Sequence, residues 1–301
     1  MFSSKKGASR LFLAVVIGLI VFKGAVAWLT DSLSVLAQAA DSLLDLLSGF
    51  IILLAVRAAD KEEDEDHPYG HGKLEDFAGL SQGILIGIAG ISIVYSSIRR
   101  IMSDVEVRMP EAGMAVMVVS IFVSLWLSRH LRNVAFQTRS TALEAGANNI
   151  RADVYSALAV LIGLVLLRIT GLGLIDPILA IAVAFYILKI GYDTIRKPFS
   201  KLIDTRLSAE DEEVIRKSIM KHDHEVVGYH RLRTRQAGDT CYIDLHVVMR
   251  KNIPLEVCHR ICDEIEAEIK EGLPGSSTVI HAEPCNDQCT ECSVICGDRK
   301  P

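Results

Sequence analysis

Apolar residues dominate the first two thirds of the chain, and charged residues interrupt every apolar run from Lys197 onward. A transmembrane helix needs roughly 20 mostly apolar residues to cross the hydrocarbon core of a bilayer. Six stretches meet that requirement, at residues 11–29, 33–58, 77–98, 112–131, 143–169 and 174–192. The pattern therefore predicts an α-helical membrane protein with six transmembrane helices.

The polar last third shows a different pattern. Ser208 precedes acidic residues, which is typical of a helix N-terminus. Residues 229–236 and 241–249 alternate polar and apolar side chains around a glycine turn, which predicts a β-hairpin. Apolar positions at helical spacing follow Pro254, and residues 278–280 form a last short strand. The order αββαβ predicts a cytosolic α+β domain of ferredoxin-like or metallochaperone-like type, with helices on one face of a three-stranded sheet.

The change in pattern predicts the domain boundaries. We expect a six-helix transmembrane domain at residues 1–200, a soluble domain at 201–284 and a cysteine-rich tail at 285–301. Lys and Arg residues of the short loops concentrate on the side of the N-terminus. Such residues remain on the cytoplasmic side of a membrane, so both termini are predicted to be cytoplasmic in a multi-pass protein of the inner (plasma) membrane.

Composition narrows the possible partners. The chain is 50% hydrophobic and has a formal net charge of −5, and its mean hydropathy is +0.32. Binding to nucleic acid requires a basic surface, so nucleic acid is not an expected partner. No nucleophile elbow, phosphate-binding loop or HExxH sequence occurs in the chain, which argues against an enzyme.

Polar side chains inside predicted spans are costly and therefore indicate function. Asp41 and Asp45 lie four residues apart in the second span, so their carboxylates share one helix face. Asn149 and Asp153 repeat this spacing in the fifth span. A polar packing seam between helices is the alternative, but a seam rarely uses two carboxylates. Two such pairs on facing helices offer four ligands to one divalent cation.

Three carboxylates and one amide give this candidate site an excess of negative charge. Neighbouring carboxylates disfavour each other's ionisation, so the metal-free site is predicted to hold protons. A metal ion must expel those protons when it binds. The site therefore predicts exchange of metal for protons.

A short sequence after the second span, together with the features above, resembles a known family. The string from His67 to Lys73 reads HPYGHGK, and it follows the span that contains the two aspartates. Together with six spans, both polar pairs and the αββαβ domain, it resembles the cation diffusion facilitator family, in particular its bacterial ferrous-iron and zinc efflux branch. The resemblance covers residues 8–285 and implies a homodimeric divalent cation/proton antiporter. Such a protein exports metal from the cytosol by alternating access, with metal ions, protons and the lipid bilayer as its partners.

One residue departs from the family pattern. Relatives that transport zinc usually have His at the position of Asn149. An amide oxygen is a harder ligand than an imidazole nitrogen, so the chain is predicted to prefer Mn²⁺ or Fe²⁺. Efflux of Zn²⁺ or Cd²⁺ by the same mechanism is the alternative. A membrane metal sensor and a non-transporting partner subunit are alternatives of other kinds.

The resemblance also implies metal sites outside the bilayer. The first is a loop site, formed by Asp64, His67 and His71; the neighbouring acidic run is also compatible with an ordinary solvated loop. The second is a binuclear regulatory site at the dimer interface, formed by His230, His246, His259, His281 and Glu283. Zn²⁺, Mn²⁺ or Fe²⁺ would thus be both substrate and regulator.

Two features complete the sequence predictions. Lys73 and Asp204 match a charge pair that joins the third span to the soluble domain across the dimer in relatives, although exposed charges of this kind are often unrelated. The tail lies beyond the resemblance and contains Cys285, Cys289, Cys292 and Cys296. Their spacing is compatible with a thiolate metal site, a redox-sensitive segment or a flexible end.

Overall fold

The computed structural model describes residues 4–30, 33–103, 111–170, 175–285 and 295–296. At some positions within these ranges, Asp41 among them, it describes only the backbone. The chain divides into two compact units, Met1–Phe199 and Ser200–Pro301. Each unit is described separately.

The described residues of the first unit form six long helices. They are α1 (Lys5–Thr30), α2 (Leu33–Ala59), α3 (Lys73–Ser103), α4 (Glu111–Thr138), α5 (Thr141–Thr170) and α6 (Ile175–Leu202). Each overlaps one of the six predicted stretches, because an apolar run this long satisfies its backbone groups in lipid only as a helix.

Four of these helices are long and apolar enough to cross a membrane, judged over the described residues. The spans are Lys5–Leu29, Lys73–Arg99, Met114–Thr138 and Pro177–Leu202. The remaining two long helices, α2 and α5, carry the polar pairs that the sequence places inside the membrane. Crossing of the bilayer by all six helices therefore stays a prediction.

Glycine permits very close packing of α3 against α6. A Cβ atom on Gly83 would lie 2.9 Å from the backbone nitrogen of Ile195 and 2.5 Å from its Cγ1 atom. One turn further along α3, a Cβ on Gly87 would meet no atom within 4 Å. Small residues let helix backbones approach each other in this way in membrane bundles.

Where the structure describes it, the second unit has two helices, α7 (Ala209–Met220) and α8 (Leu255–Gly272), and three longer strands, β1 (Val226–Ala237), β2 (Thr240–Met249) and β3 (Ser276–Pro284). The observed order α7-β1-β2-α8-β3 is the predicted αββαβ order. Ser208 caps α7 as expected, because its Oγ atom accepts a hydrogen bond of 3.1 Å from the Asp211 backbone N–H.

Strand alternation gives this sheet two different faces. Buried β2 residues such as Ile243 and Leu245 pack against Ile215 of α7 and Ile265 of α8 in one core. Successive strand residues point to opposite faces, so the even-numbered residue His246 lies on the face away from the helices. One face of the sheet thus builds the core, and the other presents polar side chains.

A fourth strand extends the predicted three-stranded sheet. The two-residue strand β4 (Ile295–Cys296) pairs antiparallel with Tyr229 and Gly228 of β1, and the strand order is β3-β2-β1-β4. The sequence does not predict this strand, because it has only two residues and its partners lie far from it in the chain. The tail therefore contributes to the sheet edge.

Candidate metal sites

The polar pairs of α2 and α5 meet in the structure. The Asn149 side chain donates a hydrogen bond from Nδ2 to Oδ1 of Asp45, with a length of 3.2 Å. Asn149 is buried and Asp153 is exposed on α5. The Asp41 side chain lies outside the described residues. At least one member of each predicted pair therefore reaches the other helix.

A polar stripe continues from Asp45 towards α3. Ser48, one turn along α2, donates a hydrogen bond from Oγ to Oε1 of Gln82, with a length of 2.5 Å. The Gln82 amide donates in return to the Ser48 carbonyl oxygen across 3.2 Å. Both residues are buried, so this reciprocal pair satisfies polar groups that would otherwise be costly in a membrane.

The loop after α2 brings together the three residues predicted for the loop site. Asp64 Oδ1 lies 2.9 Å from His67 Nδ1, and Asp64 Oδ2 lies 3.4 Å from His71 Nε2. The hydrogen bond with the His67 side chain lowers the pKa of the Asp64 carboxyl below its usual range. His71 is mostly covered, and within the described residues its buried Nδ1 atom has no hydrogen-bond partner. A carboxylate and two imidazoles within 4.8 Å of one another suit a transition-metal ion.

The open face of the sheet gathers most of the predicted regulatory site. His230 of β1 stands directly opposite His246 of β2, and His246 stands directly opposite His281 of β3. Cross-strand partners point to the same side of a sheet, so the three rings form a row. The ring centroids are 5.0 Å and 4.7 Å apart.

Glu283 connects these histidines. Its carboxylate oxygens lie 3.1 Å from His230 Nε2 and 2.6 Å from His246 Nδ1, and Oε1 lies 3.5 Å from His281 Nε2. The hydrogen bonds with His246 and His230 lower the pKa of the Glu283 carboxyl. The ligand atoms of Glu283, His230 and His246 all fall within 4.8 Å of one another. This arrangement offers nitrogen and oxygen ligands to a metal ion.

His259 lies elsewhere in the unit. It sits on α8 with Nδ1 3.6 Å from Asp263 Oδ1, and it lines a groove between α8 and β3 together with Ile280. The helices and the histidine row occupy opposite faces of the sheet. A shared site with His246 would therefore need His259 from a second copy of the chain, as the sequence prediction of an interface site implies.

The other predicted residues are placed only in part. Lys73 begins α3, and Asp204 Oδ1 lies 3.5 Å from Arg235 Nη1. Cys285 is half-buried. Cys289 and Cys292 lie outside the described residues, as does the side chain of Cys296, so the predicted tail site stays a prediction.

The sequence missed a buried acidic pair at the start of α3. Glu75 and Asp76 are completely buried. Lys5 Nζ lies 2.9 Å from Glu75 Oε1, and Thr141 donates a 2.8 Å hydrogen bond to Asp76. The Ser140 hydroxyl also donates to Glu75. The available signal was a pair of acids at a predicted membrane boundary, on the side where the basic N-terminus is also predicted to lie.

Comparison with known proteins accounts for both units. Residues 9–203 match the sequence profile of the cation efflux transmembrane domain, and residues 207–285 match that of the cation efflux protein cytoplasmic domain. The chain belongs to the cation diffusion facilitator family. It is therefore a membrane transporter for cation efflux with a cytoplasmic α/β domain, and the resemblance seen in the sequence is confirmed.

Individual relatives agree with this assignment. The cation-efflux pump FieF of Cronobacter sakazakii is 34% identical over 263 residues, which cover 86% of each chain. FieF of Salmonella newport is 33% identical over 264 residues, again with 86% of each chain covered. These relatives of the facilitator family are transporters rather than enzymes.

Solved structures match a smaller part of the facilitator chain. Two structures from work on the mode of action of the zinc transporter CzrB are 35% and 33% identical to it. The first covers 26% of this chain and 98% of its own, and the second, a zinc form, covers 28% and 94%. Both have a TM-score of 0.25.

Proposed function

We propose that this facilitator is a divalent metal cation/proton antiporter that exports Mn²⁺ or Fe²⁺ from the cytosol by alternating access. The hydrogen bond between Asn149 and Asp45 carries the proposal. It joins the two helices whose polar pairs would bind the ion. Asp41 and Asp153 complete the transport site by their spacing of four residues from these two.

The ligand chemistry supports both the choice of metal and the exchange of protons. All four groups bind through oxygen, and oxygen ligands favour Mn²⁺ and Fe²⁺ relative to softer ions. One or more of the three carboxylates would hold protons when the metal is absent and would release them when it enters. The Asn149 amide carries no proton load, so exchange rests on Asp41, Asp45 and Asp153.

The surrounding assembly follows from the family. The protein would be a homodimer in the inner (plasma) membrane, with six spans and both termini cytoplasmic. The cytoplasmic domain matches a family of domains that is named for dimerisation, which supports this assembly. Lys73 and Asp204 would then form their charge pair across the dimer, and the transport domain would end near residue 200, beside a cytosolic domain at 201–284.

Two cytosolic clusters would assist transport. The Asp64, His67 and His71 loop site would raise the metal concentration near the entrance. The row of His230, His246 and His281 with Glu283, completed by His259 from the second copy, would bind regulatory metal between the two soluble domains. Binding there would stabilise the transport-competent dimer. The four tail cysteines would form a further thiolate site.

Reconstituted vesicles test the proposal. The wild-type protein should take up Mn²⁺ or Fe²⁺ in response to an imposed proton gradient, and Asp45→Asn should abolish that uptake. Asp60→Asn is the matched control, because Asp60 follows the same helix but is exposed and pairs with Lys6. Its uptake should equal that of the wild type.

The same assay separates the alternatives. A metal sensor or a non-transporting subunit would show no uptake in the wild type. A facilitated channel would carry metal without moving protons. Preference for Zn²⁺ or Cd²⁺ in competition would retain antiport and overturn the assignment of the metal.

A further inference from the structure

A lysine interrupts the apolar face of the first helix. Lys23 lies inside the candidate membrane span Lys5–Leu29. A charged side chain within a span is costly unless it finds a polar partner. Its ammonium donates a 2.7 Å hydrogen bond to the hydroxyl of Ser42 on α2. The partner is itself 3% exposed, so this contact lies between helices.

The contact places the ammonium beside the proposed transport site. Ser42 follows Asp41 directly and precedes Asp45 by three residues. Residues three apart on a helix are neighbours, with Cβ atoms about 5–6 Å apart. The Lys23 ammonium therefore lies beside the segment of α2 that contains both aspartates.

We propose that Lys23 is an internal counter-cation of the transport site, which limits the affinity for the metal so that the ion can leave. This inference rests on the proposed function. In the metal-free protein, the ammonium neutralises part of the excess negative charge. In the metal-bound protein, the ammonium and the divalent ion repel each other, and that repulsion favours release.

The chemistry of lysine suits this role. The ammonium is a compact charge on a flexible four-carbon stem, so it can remain near the carboxylates or withdraw when an ion arrives. Charges separated by roughly 8–10 Å in a protein interact strongly enough to change an affinity by about tenfold or more. Snorkelling of Lys23 to the nearer membrane surface is the alternative, and it would leave the affinity unchanged.

Transport kinetics of the full chain in vesicles test the inference, with Mn²⁺ and Zn²⁺ as separate probes. Lys23→Met removes the charge and keeps the length of the side chain. We expect KM to fall about tenfold and kcat to fall as well, because the ion is held more tightly and leaves more slowly. Lys23→Arg keeps the charge and should restore both constants towards wild type.

Ser42→Ala removes the hydrogen bond that holds the ammonium in place and keeps the charge. Its KM should therefore lie between those of wild type and Lys23→Met. A KM above that of wild type in Ser42→Ala would contradict the inference. An unchanged or higher KM in Lys23→Met would also overturn it.

Two further measurements keep the outcomes distinct. Should Lys23→Met fail to insert stably, Lys23→Gln takes its place, with the same expected fall in KM. Asp45→Asn is measured in parallel. Continued uptake by Asp45→Asn would refute the proposed transport site, whereas loss of uptake there with an unchanged KM in Lys23→Met refutes only the role of Lys23.

Discussion

The Asn149 amide of α5 donates a 3.2 Å hydrogen bond to the Asp45 carboxylate of α2. An amide nitrogen is a donor only, so this geometry turns the nitrogen, and not the ligating oxygen, towards Asp45. Metal entry at the proposed site would replace this hydrogen bond, and the amide would rotate to present its oxygen. Residue 149 thus makes the contact with Asp45 and, at the proposed site, would also supply the ligand offered to the ion.

Asn149→His should move the metal preference towards zinc. Imidazole is a softer ligand than an amide oxygen, so the ratio of Zn²⁺ to Mn²⁺ uptake should rise by about tenfold or more. Competition uptake in vesicles measures this ratio. An unchanged ranking of the metals would show that residue 149 does not select the ion.

Loss of the Glu75 carboxylate should strongly destabilise the transmembrane unit. Glu75→Ala removes the carboxylate that the Lys5 ammonium contacts, in a region where only 12% of the Lys5 side chain is exposed. Removal of one partner of a buried ion pair lowers the free energy of unfolding by about 3–5 kcal/mol. Thermal unfolding in detergent should show a clear fall in the midpoint.

The matched control for this prediction is Lys197→Ala. Lys197 contacts Glu144 at 2.5 Å, but the two side chains are 65% and 38% exposed. Exposed pairs contribute about 0–1 kcal/mol, so the midpoint should hardly move. Equal effects of the two substitutions would mean that the burial of Glu75 has no energetic consequence.

Alanine should have opposite effects at two glycines of α3. At Gly83 the new methyl group meets a backbone nitrogen at 2.9 Å, and overpacking of this kind costs about 1–3 kcal/mol. At Gly87 the space is open, and the higher helix propensity of alanine stabilises by up to about 1 kcal/mol. Unfolding midpoints that shift in the same direction would contradict this packing of α3 against α6.

Glu283 should make the metal-free soluble unit sensitive to acid. Its pKa is lower in the folded protein than the ordinary value of 4.5. The stabilisation is therefore present above about pH 4.5 and is lost as the pH falls through the folded pKa. Wild type should exceed Glu283→Gln in stability at neutral pH, by less than about 1 kcal/mol because the carboxylate is partly exposed.

Hydrogen exchange of the β1–β3 amides, corrected for the intrinsic rate at each pH and recorded with a chelator present, measures this difference. The gap between the two proteins should close in acid. A constant gap across the pH range would show that the interaction does not depend on the charge of Glu283.

The pattern of apolar residues predicted most of the fold. The six long helices follow from apolar runs of the length that crosses a bilayer, and the αββαβ order follows from residue spacing. The two-residue strand β4 could not be predicted, since its partner Tyr229 lies far away in sequence. Pairing over such a distance leaves no local pattern.

The candidate sites were predictable to different degrees. The spacing of four residues within each polar pair predicted that its two members share one helix face. Only the fold brings Asp45 of one pair within hydrogen-bonding distance of Asn149 of the other. The row of histidines needed the strand register, which places His246 opposite both His230 and His281. Buried Glu75 was missed because sequence alone does not show which membrane-boundary acids the neighbouring helices cover.

The row of histidines has a consequence for chain topology. Its ligands belong to three different strands, and His230 and Glu283 are separated by 53 positions in sequence. An ion held by them would close that length of chain into a loop, as a covalent crosslink does, and loop closure restricts the unfolded chain. Cytosolic metal would then crosslink the three strands reversibly. The force needed to unfold the soluble unit would therefore rise and fall with the metal concentration in the cell.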